Sequence, residues 1–137
     1  MKFAGPSKTG RDLELKTMRI PEFDAPGIAA ALTAMADDEL DALPFGVVEM
    51  DRQCTVLRYN ATESRSSGLP PERVVGRHFF RDVAPCSDNR LVAQRYALDA
   101  LDETLGYTFL LRMRPVVVTL RMLKSVESDR MYLLVRW

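Results

Sequence analysis

The first 22 residues show no apolar period, and Gly5, Pro6, Gly10 and Pro21 interrupt them, so a loosely ordered arm is expected there. Helical spacing follows. Ile28, Leu32 and Met35 recur at helical intervals after Asp24, a candidate N-cap, and Pro26, while Leu40 and Leu43 suggest a second short turn. Residues 23–44 are thus expected to form an N-terminal helical cap. From Phe45 the period shortens, and residues 45–50 and 55–59 read as strands around a tight turn at 51–54. The chain is then polar and small as far as Gly68. Pro70, Pro71 and Glu72 open another helical turn that ends at Gly76. Residues 78–84 form a short apolar segment stopped by Pro85, with Cys86 next, and residues 91–101 suit a longer helix. Three β-rich runs close the chain at 107–113, 116–123 and 131–137, with Pro115 and residues 125–129 marking the turns between them. This order predicts an α+β fold, one five-stranded antiparallel sheet with helices on one side.

Composition narrows the class without naming a function. The 137 residues are 47% hydrophobic and 28% charged, which describes a soluble domain with a core able to enclose a small ligand pocket. The formal net charge is zero, so no global basic field argues for nucleic acid or an anionic membrane. Charge is segregated, however. Residues 1–20 carry Lys2, Lys8, Arg11, Lys16 and Arg19, whereas the stretch from Glu22 to Asp41 is acidic without a base. A solvated tail and a solvated face account for this pattern. No run of about 18 apolar residues could span a bilayer, and the opening residues do not resemble a signal peptide. Cys54 and Cys86 are far apart and lack metal-ligand spacing, which points to free thiols in a cytoplasmic protein.

The candidate chemistry lies in two places. Tyr59, Glu63 and Ser67 stand at i, i+4 and i+8, so on a helix they share one face. Such a row either surrounds one acceptor with donors, provided Glu63 is protonated, or forms an exposed polar face. Cys86, after Pro85, is either a reactive attachment point or a small hydrophobe in the core. Cys54 falls in a turn and suggests no role. His78, the single histidine, could serve Cys86 as a base, but the chain has no Gly-rich nucleophile turn and no evident group to orient the ring. Phe109 and Met113 share a strand face, as core residues do.

Together these residues resemble the photoactive yellow protein family from about Leu40 onward. The densest stretches run from Phe45-Gly46 through Tyr59-Asn60-Ala61 to Glu63, and over Val75-Gly76-Arg77-His78-Phe79-Phe80-Arg81-Asp82-Val83-Ala84-Pro85-Cys86-Ser87-Asp88. Tyr107-Thr108-Phe109, Met113 and Pro115 continue the likeness. The Phe-Phe-x-Asp-Val-Ala-Pro-Cys string is specific to that family within the wider PAS fold.

The resemblance implies a PAS domain over residues 23–137, a central five-stranded sheet flanked by short helices and the N-terminal cap. It implies a bacterial blue-light receptor, not an enzyme, holding 4-hydroxycinnamic acid (p-coumaric acid) as a thioester on Cys86. Tyr59 and a protonated Glu63 would donate hydrogen bonds to the phenolate, and Ser67, where the family has threonine, would support Tyr59. Phe79, Phe80, Val83 and Ala84 would line the pocket, Phe109 would pack beside the ring, and Met113 would assist thermal return. The Cys86 amide would hold the thioester carbonyl. Trans–cis photoisomerisation would draw the proton from Glu63, and the resulting buried carboxylate would drive partial unfolding as the signal to a downstream protein, with the receptor a monomer or weak dimer. The sequence departs from the family at Leu69, where an arginine covers the pocket in well-known members, at His78, where a polar amide is expected, and at residues 51–54, which lack a glycine-rich turn. A pigment-free PAS module that senses another ligand or binds a protein is the alternative, and a cysteine hydrolase is a third reading.

Overall fold

The computed structural model describes residues 20–137. The expected loose arm, residues 1–22, lies outside them except for its last three residues. Two short helices come first, α1 (Ile28–Ala34) and α2 (Asp37–Asp41). Strands β1 (Gly46–Met50) and β2 (Val56–Tyr59) follow, then helix α3 (Ala61–Ser67). A run of single turns leads to β3 (Leu101–Leu111), β4 (Arg114–Lys124) and β5 (Met131–Arg136). The sheet is antiparallel throughout, in the order β2-β1-β5-β4-β3.

Alternation along the strands divides the apolar residues between two cores. Val48, Met50, Val118, Leu120, Met122, Met131, Leu133 and Val135 face α3 and the turns that follow it. Val47, Leu123, Tyr132 and Leu134 face the other way and pack with Phe23, Ile28, Leu32, Leu40 and Leu43 of the N-terminal cap. The sheet is therefore covered on both faces, not on one as the pattern predicts. Two guanidinium groups tie the cap down. Arg58 donates to the carbonyls of Leu32 (2.9 Å) and Met35 (2.7 Å), and Arg121 to those of Phe23 (3.0 Å) and Ala25 (2.8 Å). Arg58 also pairs with the fully buried Glu49, which Arg130 and the Tyr132 hydroxyl complete. Burial pushes the Glu49 carboxyl up, but these bonds outweigh it and hold its pKa below the ordinary value.

Several expected elements shift. Gly27, not Asp24, occupies the N-cap of α1. The helix expected over 91–101 is a short 3-10 helix at Ala93–Ala97: Val92 and Tyr96 reach the core, Leu91 and Leu98 are exposed, and Leu101, also buried, already belongs to β3. Strand β3 begins at Leu101, well before the expected 107. The β3–β4 turn lies at Arg112 and Met113, both in the left-handed region (φ 51° and 68°), rather than at Pro115, which pairs with Leu110.

Candidate functional site: a half-open cavity between helix α3 and the sheet

Asn60 sets the position of α3. As its N-cap, Asn60 accepts the amides of Glu63 (3.0 Å) and Val47 (2.9 Å) on Oδ1 and donates through Nδ2 to the carbonyls of Leu40 (2.9 Å) and Phe45 (3.1 Å). The helix ends at Gly68, whose φ of 81° is the left-handed conformation that closes a helix without a side-chain clash. The segment carrying Cys86 begins with one π-helical turn, Phe79–Val83, closed by the Ala84 amide on the Phe79 carbonyl (2.8 Å). Such turns recur at functional sites. A 3-10 turn at Pro85–Ser87 then presents Cys86 at the surface.

These elements and the ends of β3 and β5 enclose a cavity of about 140 Å³. That is close to an engineered cavity of about 150 Å³ that takes up benzene, so one aromatic ring fits. Of the expected site residues, Tyr59, Glu63, Ser67, Leu69, Phe79, Val83, Ala84, Cys86 and Phe109 line it. Two do not. Phe80 is buried behind Phe79, at 5.1 Å between ring centroids, and points toward Tyr96 in the core. Met113 is 95% exposed, because the strand that should have carried it to the face of Phe109 ends at Leu111 and the two-residue turn swings it into solvent.

The polar groups are buried and the thiol is not. Tyr59, Glu63 and Ser67 are each buried, whereas Cys86 is exposed, which removes the core-filling alternative for that cysteine. The Tyr59 hydroxyl pairs with Ser67 Oγ at 2.8 Å, and burial together with the nearby Glu63 holds the phenol well above its ordinary pKa. Burial pushes the Glu63 carboxyl up to about 7, although a hydrogen bond from Trp137 Nε1 to Oε1 (2.8 Å) pulls the other way. Gly46 makes room for this carboxyl. A Cβ there would fall on Oε1 of Glu63 and lie 2.9 Å from its Cδ. His78 Nδ1 accepts the Arg81 amide (3.1 Å) and so caps the π-helical turn. Cys54 is half-buried, and burial raises its thiol pKa.

Four residues at or beside the cavity stand out among those not assigned to it from the sequence. Trp137 lines the cavity 6.0 Å from the Phe109 ring, and a period of two from Met131, Leu133 and Val135 would have placed it on that face. The Tyr107 hydroxyl donates to the Cys86 carbonyl (2.7 Å), and Asn89 Nδ2 donates to both that hydroxyl (2.7 Å) and that carbonyl (3.2 Å), fixing the main chain at Cys86. Next to Leu69, the guanidinium of Arg112 lies against Gly68.

A sheet of this order, covered on both faces and with a ring-sized cavity beside it, defines the chain as a PAS domain, and the family profile described as the PAS fold matches residues 40–125. The relatives sharpen this. Photoactive yellow proteins of Rhodothalassium salexigens and Halochromatium salexigens are each 32% identical over 123 residues, covering 87% of this chain and 98% of theirs. The crystal structure of the photoactive yellow protein domain from the sensor histidine kinase Ppr of Rhodospirillum centenum superposes with a TM-score of 0.74 at 38% identity, covering 79% of this chain and 98% of that one. The chain belongs to the photoactive yellow protein family, a family of photosensory PAS domains rather than enzymes. Among the described residues no helix is long and apolar enough to cross a membrane, and no cluster of three or more acidic, histidine or cysteine side chains could hold a metal ion.

Proposed function

We propose that the protein is a blue-light receptor that carries 4-hydroxycinnamic acid as a thioester on Cys86. One observation carries this reading: a ring-sized cavity has an exposed thiol at its rim and a phenol, a hydroxyl and a raised-pKa carboxyl buried within it. When bound, that group supplies absorption of visible light and a trans–cis isomerisation. The chain supplies the rest. Cys86 Sγ is the attachment atom, and Tyr107 and Asn89 hold its carbonyl still. Phe79, Val83, Phe109 and Trp137 exclude water from the ring site. A buried anionic oxygen is stable only where hydrogen bonds replace lost water, and Tyr59 and a protonated Glu63 are the donors we assign to it among the polar groups lining the cavity. Burial raises the Glu63 pKa to about 7, so the acid is mostly protonated below neutrality and close enough to ionisation to release its proton after illumination.

Loss of that proton leaves a charge in an apolar site, which costs several kcal/mol. The strain is relieved through α3 and the segments hydrogen-bonded to Asn60, among them the N-terminal cap at Leu40. The cap, residues 23–44, is thus the output element, and the relative within a sensor histidine kinase supports a signalling partner downstream.

The test is reconstitution with activated 4-hydroxycinnamate. Visible absorbance and a mass adduct are expected in wild type and in Cys54→Ala but not in Cys86→Ala. An adduct on Cys54 overturns the assignment of the site to Cys86, and an adduct on neither cysteine overturns the reading in favour of a pigment-free ligand-sensing or protein-binding module.

A further inference from the structure

We propose that Trp137 is a positioning residue for Glu63, holding its carboxyl against the end of β5 and remaining its hydrogen-bond donor in both protonation states. The geometry is specific. Trp137 Nε1 lies 2.8 Å from Glu63 Oε1, and this is the side-chain hydrogen bond that the carboxyl receives among the described residues. Gly46 packs against the same oxygen, since a methyl group on it would collide with Oε1. The carboxyl is therefore confined by a close main-chain contact and an indole N–H. The indole is itself fixed on the Phe109 ring, 6.0 Å away.

Chemistry gives this bond a direction. An indole N–H donates and cannot accept or titrate, so it binds either form of the acid but binds the carboxylate more strongly. Burial alone would favour the neutral acid, and Trp137 works against it. Other charged or titratable groups around α3 are differently engaged. Asp41 of α2 accepts the Ala61 amide (2.8 Å), Arg65 donates to Thr62 Oγ1 (3.2 Å), and the Arg112 guanidinium sits at Gly68. Tyr59, paired with Ser67, and Cys86 share the cavity itself. The role of Trp137 rests on Glu63 being the light-driven proton donor: when the proton leaves, the charge forms on a group that already has a partner. The bond itself requires no pigment, and it can be tested without any.

In pigment-free protein, the infrared carboxyl band of Glu63, identified by its loss in Glu63→Gln, is followed against pH. Wild type should titrate near 7. Trp137→Phe keeps the ring and removes the N–H, so its midpoint should rise by about one pH unit, the difference between a neutral and a charge-assisted hydrogen bond. Because Trp137 is the single tryptophan, the intrinsic fluorescence of unmodified protein provides a second measurement that does not depend on that variant folding. Emission should change with the same midpoint as the infrared band, and that step should vanish in Glu63→Gln. An unshifted or lowered midpoint in Trp137→Phe, or emission that ignores Glu63, overturns the role assigned to Trp137. Failure of 4-hydroxycinnamate to attach would leave both titrations intact and would count only against the pigment reading.

Discussion

Glu63 should make the stability of the pigment-free protein depend on pH in the opposite sense to an ion-paired carboxylate. Its side chain is 3% exposed, and burial lifts its pKa from 4.5 to about 7. Between those values the folded protein keeps a proton that the unfolded chain has released. For this group, stability is fully present below pH 4.5, declines as pH rises, and is lost above about 7. The full interval corresponds to about 3 kcal/mol, at ~1.4 kcal/mol for each pH unit. Glu49 and Asp102 act in the other direction, since both are held below their ordinary values in the folded state and contribute stability that is lost in acid. The raw profile therefore mixes signs, and the informative quantity is wild type minus Glu63→Gln. Gln keeps the size of the side chain and an acceptor for Trp137 while removing the titration. Urea unfolding at about pH 5 and about pH 8 should show wild type losing about 2–3 kcal/mol more than the variant over that range. Equal losses, or a greater loss in Glu63→Gln, would refute the claim that Glu63 is a neutral acid in the folded protein at pH 5.

Three further outcomes follow from the packing. Gly46→Ala should displace the Glu63 carboxyl from Trp137 and destabilise the fold by about 2 kcal/mol, the order expected for overpacking, as read by thermal unfolding. Arg58→Ala removes the principal partner of fully buried Glu49 and two donors to the cap. It should cost about 3 kcal/mol in urea unfolding and speed amide exchange before Phe45 more than in β4 or β5. Met113→Gly should raise stability by about 1 kcal/mol, with a melting temperature roughly 4 °C higher, because it relieves a left-handed backbone at a residue whose side chain is 95% exposed.

The sheet and the donor row were legible in the sequence because each rests on local periodicity or a short motif. The polar stretch after Tyr59 does form a helix, which carries Glu63 and Ser67 to the cavity, but Tyr59 reaches it from the end of β2 and not from the helix face that the spacing predicts. What local pattern could not show was set by distant partners. Strand β5 is buried on both faces, so its run of apolar residues hides the alternation that assigns Trp137 to the cavity side. The start of β3 was masked by Asp102 and Glu103, which are satisfied by Arg121 and Arg95 on neighbouring elements. Met113 illustrates the reverse error. Two residues four apart share a strand face only while the strand lasts, and the turn at Arg112 breaks the series. The apolar positions of the cap were legible at helical spacing, but not the second face of the sheet that they cover, because the cap docks through guanidinium–carbonyl bonds to distant residues as well as through burial.

The same hydrogen bonds explain how one proton could matter to the far side of the sheet. Asn60 spends its side-chain amide on four main-chain groups at once, those of Leu40, Phe45, Val47 and Glu63, so α3 cannot shift without loosening the cap and β1 together. Glu63 lies buried in the first turn of that helix, so a charge on it would carry a desolvation cost at that point. Arg58 and Arg121 meanwhile hold the cap from outside the cavity, and neither lines it. If Glu63 is the trigger, as proposed, trigger and restraint are separate sets of residues. A change at Glu63 should alter whether the cap is released, whereas a change at Arg58 or Arg121 should alter how firmly it is held in the dark.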